Sequence, residues 1–312
     1  MPKARKRKVP ITTSSDVPSS TSSSKPESSR LVIRQFHVLL KQQAQLQRLL
    51  PSDPSKRKEL EDVERKIEEL GGLESYQRMS AIGQGNDRGG GSEKVFIGWL
   101  KERGVHERVV GSRTEHGDSG KLKDVSEHFV VPVNTSNSKK RLLEVGALKP
   151  DNYSSCSAWI HNTPMDLNSR HPTILEQDFL LLDEEENQGK WDLISLSLVL
   201  NFVPEAVDRG RMLNLAHKFL RTEGYLFVAL PLPCLSNSRY LDFEKMHEIM
   251  TYLGFQEIQQ KWKKGGKMVY FLYQKVEQGK TPPTTRKQVV PLHLTKKAIL
   301  RQGNRNNFAI LL

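Results

Sequence analysis

Leu142-Leu143-Glu144-Val145-Gly146-Ala147 is a short apolar run that stops on a glycine. Such a run reads as a buried strand entering a tight turn. A glycine there lets the backbone approach a ligand with no Cβ in the way. Downstream of it, short apolar segments alternate with polar or helical ones. Strands are expected over 141–145, 158–161, 193–200, 225–229, 255–261 and 269–273, and helices over 205–220 and 242–253. That alternation is the mark of βαβ units and a mostly parallel sheet. Pro204 lies near the start of the first of these helices, and Gly224 and Gly254 follow the ends. The fold class is therefore α/β and Rossmann-like.

In such sheets the ligand sits at the carboxyl ends of the strands, beside the point where strand order reverses. Asp166, in Met165-Asp166-Leu167-Asn168, comes ~20 residues after the glycine, where an acid suits the two hydroxyls of a ribose. Gln177-Asp178-Phe179 follows the next segment. Its carboxylate can accept from an adenine amino group, and its ring can cover the base. Each residue taken singly has a simpler role: a tight turn for Gly146, and a cap or turn for Asp166 and Asp178. Their succession after consecutive strands points instead to an adenosyl ligand. The dinucleotide pattern G-x-G-x-x-G is absent, and Leu148 stands where its second glycine would be, which argues against NAD.

The chain has 312 residues and a net charge of +12. Mean hydropathy is −0.56, low enough to expect some disorder. The charge lies at the ends: +5 over residues 1–30 and +11 over 261–312, which leaves −4 for 31–260. Basic ends suit a polyanion such as nucleic acid, or nuclear import through the cluster Lys3 to Lys8. Cys156 and Cys234 form neither a disulfide framework nor a zinc pattern, and a reducing compartment is expected. His161, His171 and His217 lack metal-like spacing. No apolar run reaches the ~18 residues of a membrane span, and the basic start lacks the apolar stretch of a secretory signal.

The expected organisation is a disordered basic tail (1–30), an N-terminal helical region (31–110), the Rossmann-like domain (111–275) and a basic C-terminal extension (276–312) to which no structure is assigned. Within the helical region, Val32, Phe36, Leu39, Leu40, Gln43, Leu46 and Leu50 follow helical spacing with one polar interruption, and Leu60, Val63, Ile67 and Leu70 form a second stripe ended by Gly71-Gly72. Two helices joined across Pro51 and Pro54 read as an antiparallel hairpin packed on the main domain. Residues 83–92, GQGNDRGGGS, lack the Lys-Ser/Thr of a phosphate loop and read as a mobile surface loop. A helix is expected over 95–103, with Val95, Trp99 and Leu100 inward.

At these residues the sequence resembles a known family. LLEVGAL, DLNS, EQDF and the long stretch WDLISLSLVLNFVPEAVDRGRMLNLAHKFLRTEGYLFVALPLPC are similar to the fungal 25S ribosomal RNA adenine-N(1) methyltransferases, as are Gly72-Leu73-Glu74-Ser75-Tyr76-Gln77 and Trp99-Leu100. The similarity covers roughly 70–275. It implies a class I methyltransferase fold, S-adenosyl-L-methionine as cofactor, large-subunit rRNA or a pre-ribosome as partner, and residence in the nucleus and nucleolus; no metal is expected from the histidine and cysteine spacing. It implies cofactor contacts at Gly146 and Asp166. Asp178 and Phe179 carry over from class I methyltransferases generally. Metazoan relatives include a cofactor sensor, so a non-catalytic sensor or ribosome-assembly factor is the alternative.

The implied chemistry needs no catalytic triad. Neutral adenine carries a lone pair on N1, which can attack a sulfonium methyl without a general base. Alignment and exclusion of water are what the protein must supply. N1 lies on the pairing edge, so a paired base must first be opened. Asn201 and Phe202, past the strand over 193–200, are placed to address and stack on a base, or else to cap a helix and fill the core. The cluster Lys261-Trp262-Lys263-Lys264-Gly265-Gly266-Lys267 reads as a phosphate-gripping hairpin or an ordinary charged turn. No catalytic side chain is assigned.

Overall fold

β1 (Lys140–Val145) divides its apolar side chains between two layers: Leu143 and Val145 enter one core, Leu142 the other. A leucine buried in this way contributes about 1.5–3 kcal/mol relative to exposure. Parallel partners flank β1 on both sides, β2 (Ile160–Asp166) and β4 (Trp191–Ser197). β3 (Leu175–Glu176) lies outside β2, and β5 (Leu220–Pro231) runs parallel beside β4. β7 (Met268–Lys275) is antiparallel between β5 and β6 (Phe255–Trp262). The order is β3-β2-β1-β4-β5-β7-β6. This is the expected Rossmann-like sheet, parallel through five strands and closed by an antiparallel pair. The order reverses between β1 and β4, which opens a crevice at their carboxyl ends. The computed structural model describes residues 26–83, 91–106, 138–169, 171–276 and 290–312.

One face of the sheet is covered by α5 (Ala206–Phe219) and α6 (Phe243–Tyr252), through Met212, Leu213, Phe219, Met246 and Ile249. Asp242 caps α6 by accepting from Lys245 N at 2.9 Å. The other face is covered by α4 (Glu93–Glu102), where Phe96, Trp99 and Leu100 pack with Tyr153 and Trp159. Phe96 takes the inward place expected of Val95, which is only partly buried.

The N-terminal hairpin consists of α1 (Pro26–Leu49) and α2 (Arg57–Glu69), joined by a turn of 3-10 helix at Pro54–Lys56. Leu46, Leu60 and Val63 are buried between the two helices. α3 (Gly72–Gly83) continues the chain towards the sheet. The hairpin docks as expected: Phe36 stacks on Tyr76 at 5.2 Å, and Arg48 pairs with Glu205 at 3.1 Å and Asp208 at 3.3 Å.

Several expectations are corrected. α1 starts at Pro26, inside the tail expected to be disordered, and a proline suits a first helical position. Residues 1–25, the loop over 84–90 and residues 107–137 and 277–289 lie outside the described residues. The strand expected over 158–161 is β2 at Ile160–Asp166, which runs through Pro164. That proline is tolerated because β3 pairs only with Met165 and Asp166, leaving that side of Pro164 unpaired. Gly224 does not stop α5. The helix ends at Phe219 and β5 begins at Leu220, so Gly224 lies within the strand.

The basic C-terminal extension is packed rather than a tail over 290–312. Phe308, Ala309 and Ile310 are buried. Leu311 N donates to Ala206 O at 2.9 Å, and Asn306 pairs with Ser238. Arg209, 3% exposed, donates to Val203 O, Pro204 O and Ala309 O and lies over the Phe308 ring. These bonds hold the extension against the β4–α5 connection.

Candidate active site

The carboxyl rim of β1, β2 and β3 is tied together by backbone hydrogen bonds. Gly146 N and Ala147 N donate to Met165 O at 2.8 and 3.0 Å, and Gln177 N donates to Asp166 O at 3.0 Å. The three loops that carry Gly146, Asp166 and Asp178 are therefore neighbours. Gly146 has φ +78°, and a Cβ there would stand 2.7 Å from Val199 Cγ2. Both facts demand glycine, and they bring the β1 turn against the β4 turn.

Asp166 ends β2 half-buried. Its Oδ1 accepts from Asn168 N at 2.9 Å and from Gln77 Nε2 at 3.4 Å. Burial raises its pKa, the Asn168 bond lowers it, and the nearby Glu176 raises it again. Its second oxygen receives no hydrogen bond among the described residues, so it can serve a diol.

Asp178 is half-buried beyond β3, and its Oδ1 accepts from Leu180 N at 2.8 Å. That bond caps the turn Phe179–Leu181. Phe179 is a correction. It is 3% exposed and meets Phe219 edge-to-face at 5.7 Å, so its ring belongs to the core and cannot cover a base in this conformation. The turn that Asp178 caps directs the ring inward.

Residues outside the expected set complete the rim. α3 lays Tyr76 and Gln77 over it, both buried. Gln77 Nε2 donates to Asn168 O at 2.9 Å, and the Tyr76 ring meets Phe202 at 4.8 Å. The helical region thus roofs the β2 and β4 turns. The stretch Gly72–Gln77 was visible as a family signature, but its contact with the rim spans ~90 residues of chain and no local pattern encodes that.

Glu144 was also missed. It is 6% exposed, between Asn152 Nδ2 at 2.6 Å and Asn162 Nδ2 at 2.8 Å. Burial pushes its pKa up to about 7, opposed by the two amide bonds and reinforced by Glu93 and Asp151. An acid inside the apolar run 142–147 was the available signal.

The β4 turn is strained. Leu198 has φ +58°, a conformation that L-residues rarely take and that often marks functional sites. Beyond it, Asn201 is 7% exposed and its Oδ1 has no hydrogen bond. Asn201 lines a cavity of about 700 Å³ between α1, the β4 and β5 turns and the C-terminal extension. Lys41, Arg48, Arg209, Cys234 and Lys297 also line it. Burial and the neighbouring Arg209 lower the Lys41 pKa. Burial pushes the Cys234 thiol up to about 12, so it stays protonated and unreactive.

Among the described residues no group of three His, Cys, Asp or Glu could hold a metal ion, and no helix is long and apolar enough to cross a membrane.

Comparison with known proteins matches residues 61–310 to the family described as 25S rRNA (adenine(2142)-N(1))-methyltransferase, Bmt2. The chain is 32% identical over 246 residues to the 25S rRNA adenine-N(1) methyltransferase of Schizosaccharomyces pombe, covering 78% of this chain and 79% of that one. It is 33% identical over 210 residues to the 25S rRNA (adenine(2142)-N(1))-methyltransferase of Saccharomyces cerevisiae, covering 67% of this chain and 52% of that one, about half its length. Among solved structures, 1,6-didemethyltoxoflavin-N1-methyltransferase of Burkholderia thailandensis superposes with a TM-score of 0.37 at 14% identity, over 45% of this chain and 72% of that one.

Proposed function

The chain belongs to the 25S rRNA (adenine(2142)-N(1))-methyltransferase family, and from that premise we propose that it transfers a methyl group from S-adenosyl-L-methionine to N1 of an adenine in 25S rRNA. The observation that carries the cofactor half is the hydrogen-bonded run of three turns from Gly146 through Met165-Asp166 to Gln177. It offers a close backbone approach at Gly146, a carboxylate oxygen for the ribose at Asp166 and one for the adenine at Asp178.

Glu144 fits the remaining end of the ligand. A buried carboxyl with no cation beside it among the described residues suits the α-ammonium of a methionyl group, which would lower its pKa again. S-adenosyl-L-methionine, when bound, supplies an electrophilic methyl on a sulfonium. The nucleophile is adenine N1. Its lone pair forms the new N–C bond as the S–C bond breaks, which leaves S-adenosylhomocysteine and a cationic N1-methyladenine, so no proton need be removed.

The chain's own part is placement. Asn201 and Phe202 stand beyond β4, beside the Gly146 turn, where a base facing the methyl would lie. The cation-lined cavity beside them disfavours the cationic product, and it suits the phosphates of the acceptor strand. A 25S rRNA substrate and the cluster Lys3 to Lys8 support action in the nucleolus, which a fluorescent fusion would display.

Methylation at N1 blocks base pairing, so primer extension across unmodified 25S rRNA tests the activity. Incubation with the protein and S-adenosyl-L-methionine should create one stop at an adenine. Cofactor binding without any such stop would favour a non-catalytic sensor instead.

A further inference from the structure

We propose that the tip of the β6–β7 hairpin, residues 261–267, is a docking element for the acceptor RNA, with Lys261, Lys263, Lys264 and Lys267 on phosphates and Trp262 as a stacking platform. The proposal rests on the 25S rRNA reading above.

The topology places the tip. β7 is antiparallel to β5, with Pro231 opposite Met268, and Leu232 N donates to Lys267 O at 2.8 Å. β6 therefore delivers its last residue, and β7 starts, at the carboxyl end of β5. This is the rim that holds Gly146, Asp166 and Asn201. The connections after the parallel strands start on that rim and cross back to the opposite edge of the sheet, whereas this hairpin both arrives and leaves there.

The turn has a defined shape. Gly266 N donates to Lys263 O at 2.8 Å, and Gly265 has φ +75°, which a side chain would resist. The four lysines are exposed, and none of them forms an ion pair among the described residues. Residues 31–260 are net negative at −4, so this cluster is a local concentration of charge and does not follow from a generally basic domain. Trp262 is 46% exposed. One face of its ring stacks on Phe243 at 5.1 Å and 28°, which fixes the ring and leaves the other side to solvent. Fixed aromatic faces among cations bind single-stranded RNA by stacking and counterion release.

The test uses the full chain and an unmodified 25S rRNA fragment. In the variant K261Q/K263Q/K264Q/K267Q, the slope of log affinity against log salt should shrink by about 3, at ~0.7 per phosphate contact on a single strand. The KM for RNA should rise, while kcat at saturating RNA and the affinity for S-adenosyl-L-methionine stay at wild-type values. Trp262→Ala should raise KM about tenfold, and Trp262→Phe should restore most of it. An unchanged salt slope, or a fall in kcat at constant KM, overturns the proposal. A wild-type protein that makes no stop in the RNA would refute the substrate reading. A wild type that methylates normally beside variants that match it would refute the hairpin alone.

Discussion

Replacing Glu144 by Gln should change stability little at pH 5 and raise it at pH 8. The carboxyl is buried, and its pKa moves from 4.5 to about 7 despite two amide donors. Between those values the folded state holds a proton that the unfolded state has released. The stability is thus fully present below about pH 4.5 and falls as pH rises through about 7. At 1.36 kcal/mol per unit, the whole effect is about 3 kcal/mol, most of it between pH 5 and 8. Gln keeps the shape and the bond from Asn152. Its new NH₂ meets Asn162, whose Oδ1 is buried with no hydrogen-bond partner, so a rotation of that amide satisfies both groups. Urea unfolding of both proteins at pH 5, 6, 7 and 8 measures the difference, and titrations elsewhere cancel between the two curves. Parallel curves would mean that Glu144 is ionised in the fold and that burial does not control it. The same substitution removes the partner assigned to the cofactor's ammonium. At pH 8, S-adenosyl-L-methionine should therefore raise the unfolding midpoint of the variant less than that of the wild type.

Asp166→Ala should abolish S-adenosyl-L-methionine binding in calorimetry with the circular dichroism unchanged; wild-type affinity would mean the ribose lies elsewhere. Gly146→Ala should cost about 2 kcal/mol from the left-handed backbone and the approach to Val199, and should also lose the cofactor, as read by chemical denaturation and calorimetry. Arg209→Ala removes three bonds to carbonyls and the packing on Phe308. It should cost about 3 kcal/mol and expose residues 290–312 to protease while the sheet stays folded, which mass spectrometry of the digest would show. Asn201→Ala should lower methyl transfer without changing cofactor affinity; equal losses in both would place Asn201 in the cofactor site.

The parts legible in sequence are those whose burial comes from one sheet. Leu142, Leu143 and Val145 alternate into two cores, and the helix over 242–253 carries an apolar stripe and its own Asp242 cap, so their places were visible to within a few residues. β2 runs five residues past the expected end at 161, through Pro164, because β3 is two residues long and leaves that side of the proline free. β3 itself, exposed and too short for any period, left no trace. The C-terminal extension was unreadable for a related reason. Phe308, Ala309 and Ile310 are buried by the β4–α5 connection and by Arg209, a hundred residues earlier, and no pattern within 290–312 encodes that.

The site divides along the same line. Gly146, Asp166 and Asp178 follow their strands in order, so a strand assignment carries them to the rim. Phe179 follows Asp178 too, yet its ring faces Phe219, because the capped turn between them reverses the side chain. Tyr76, Gln77 and the 261–267 tip reach the rim by other routes, one over a helical roof and one through an antiparallel pair. Proximity to the strand ends thus belongs to the sheet, whereas what approaches from above and from the side belongs to the elements that distinguish this chain from others with the same sheet. Selectivity for one adenine should then reside in α1, α3 and the hairpin tip, and replacing surface side chains there should weaken or move the primer-extension stop while cofactor affinity holds.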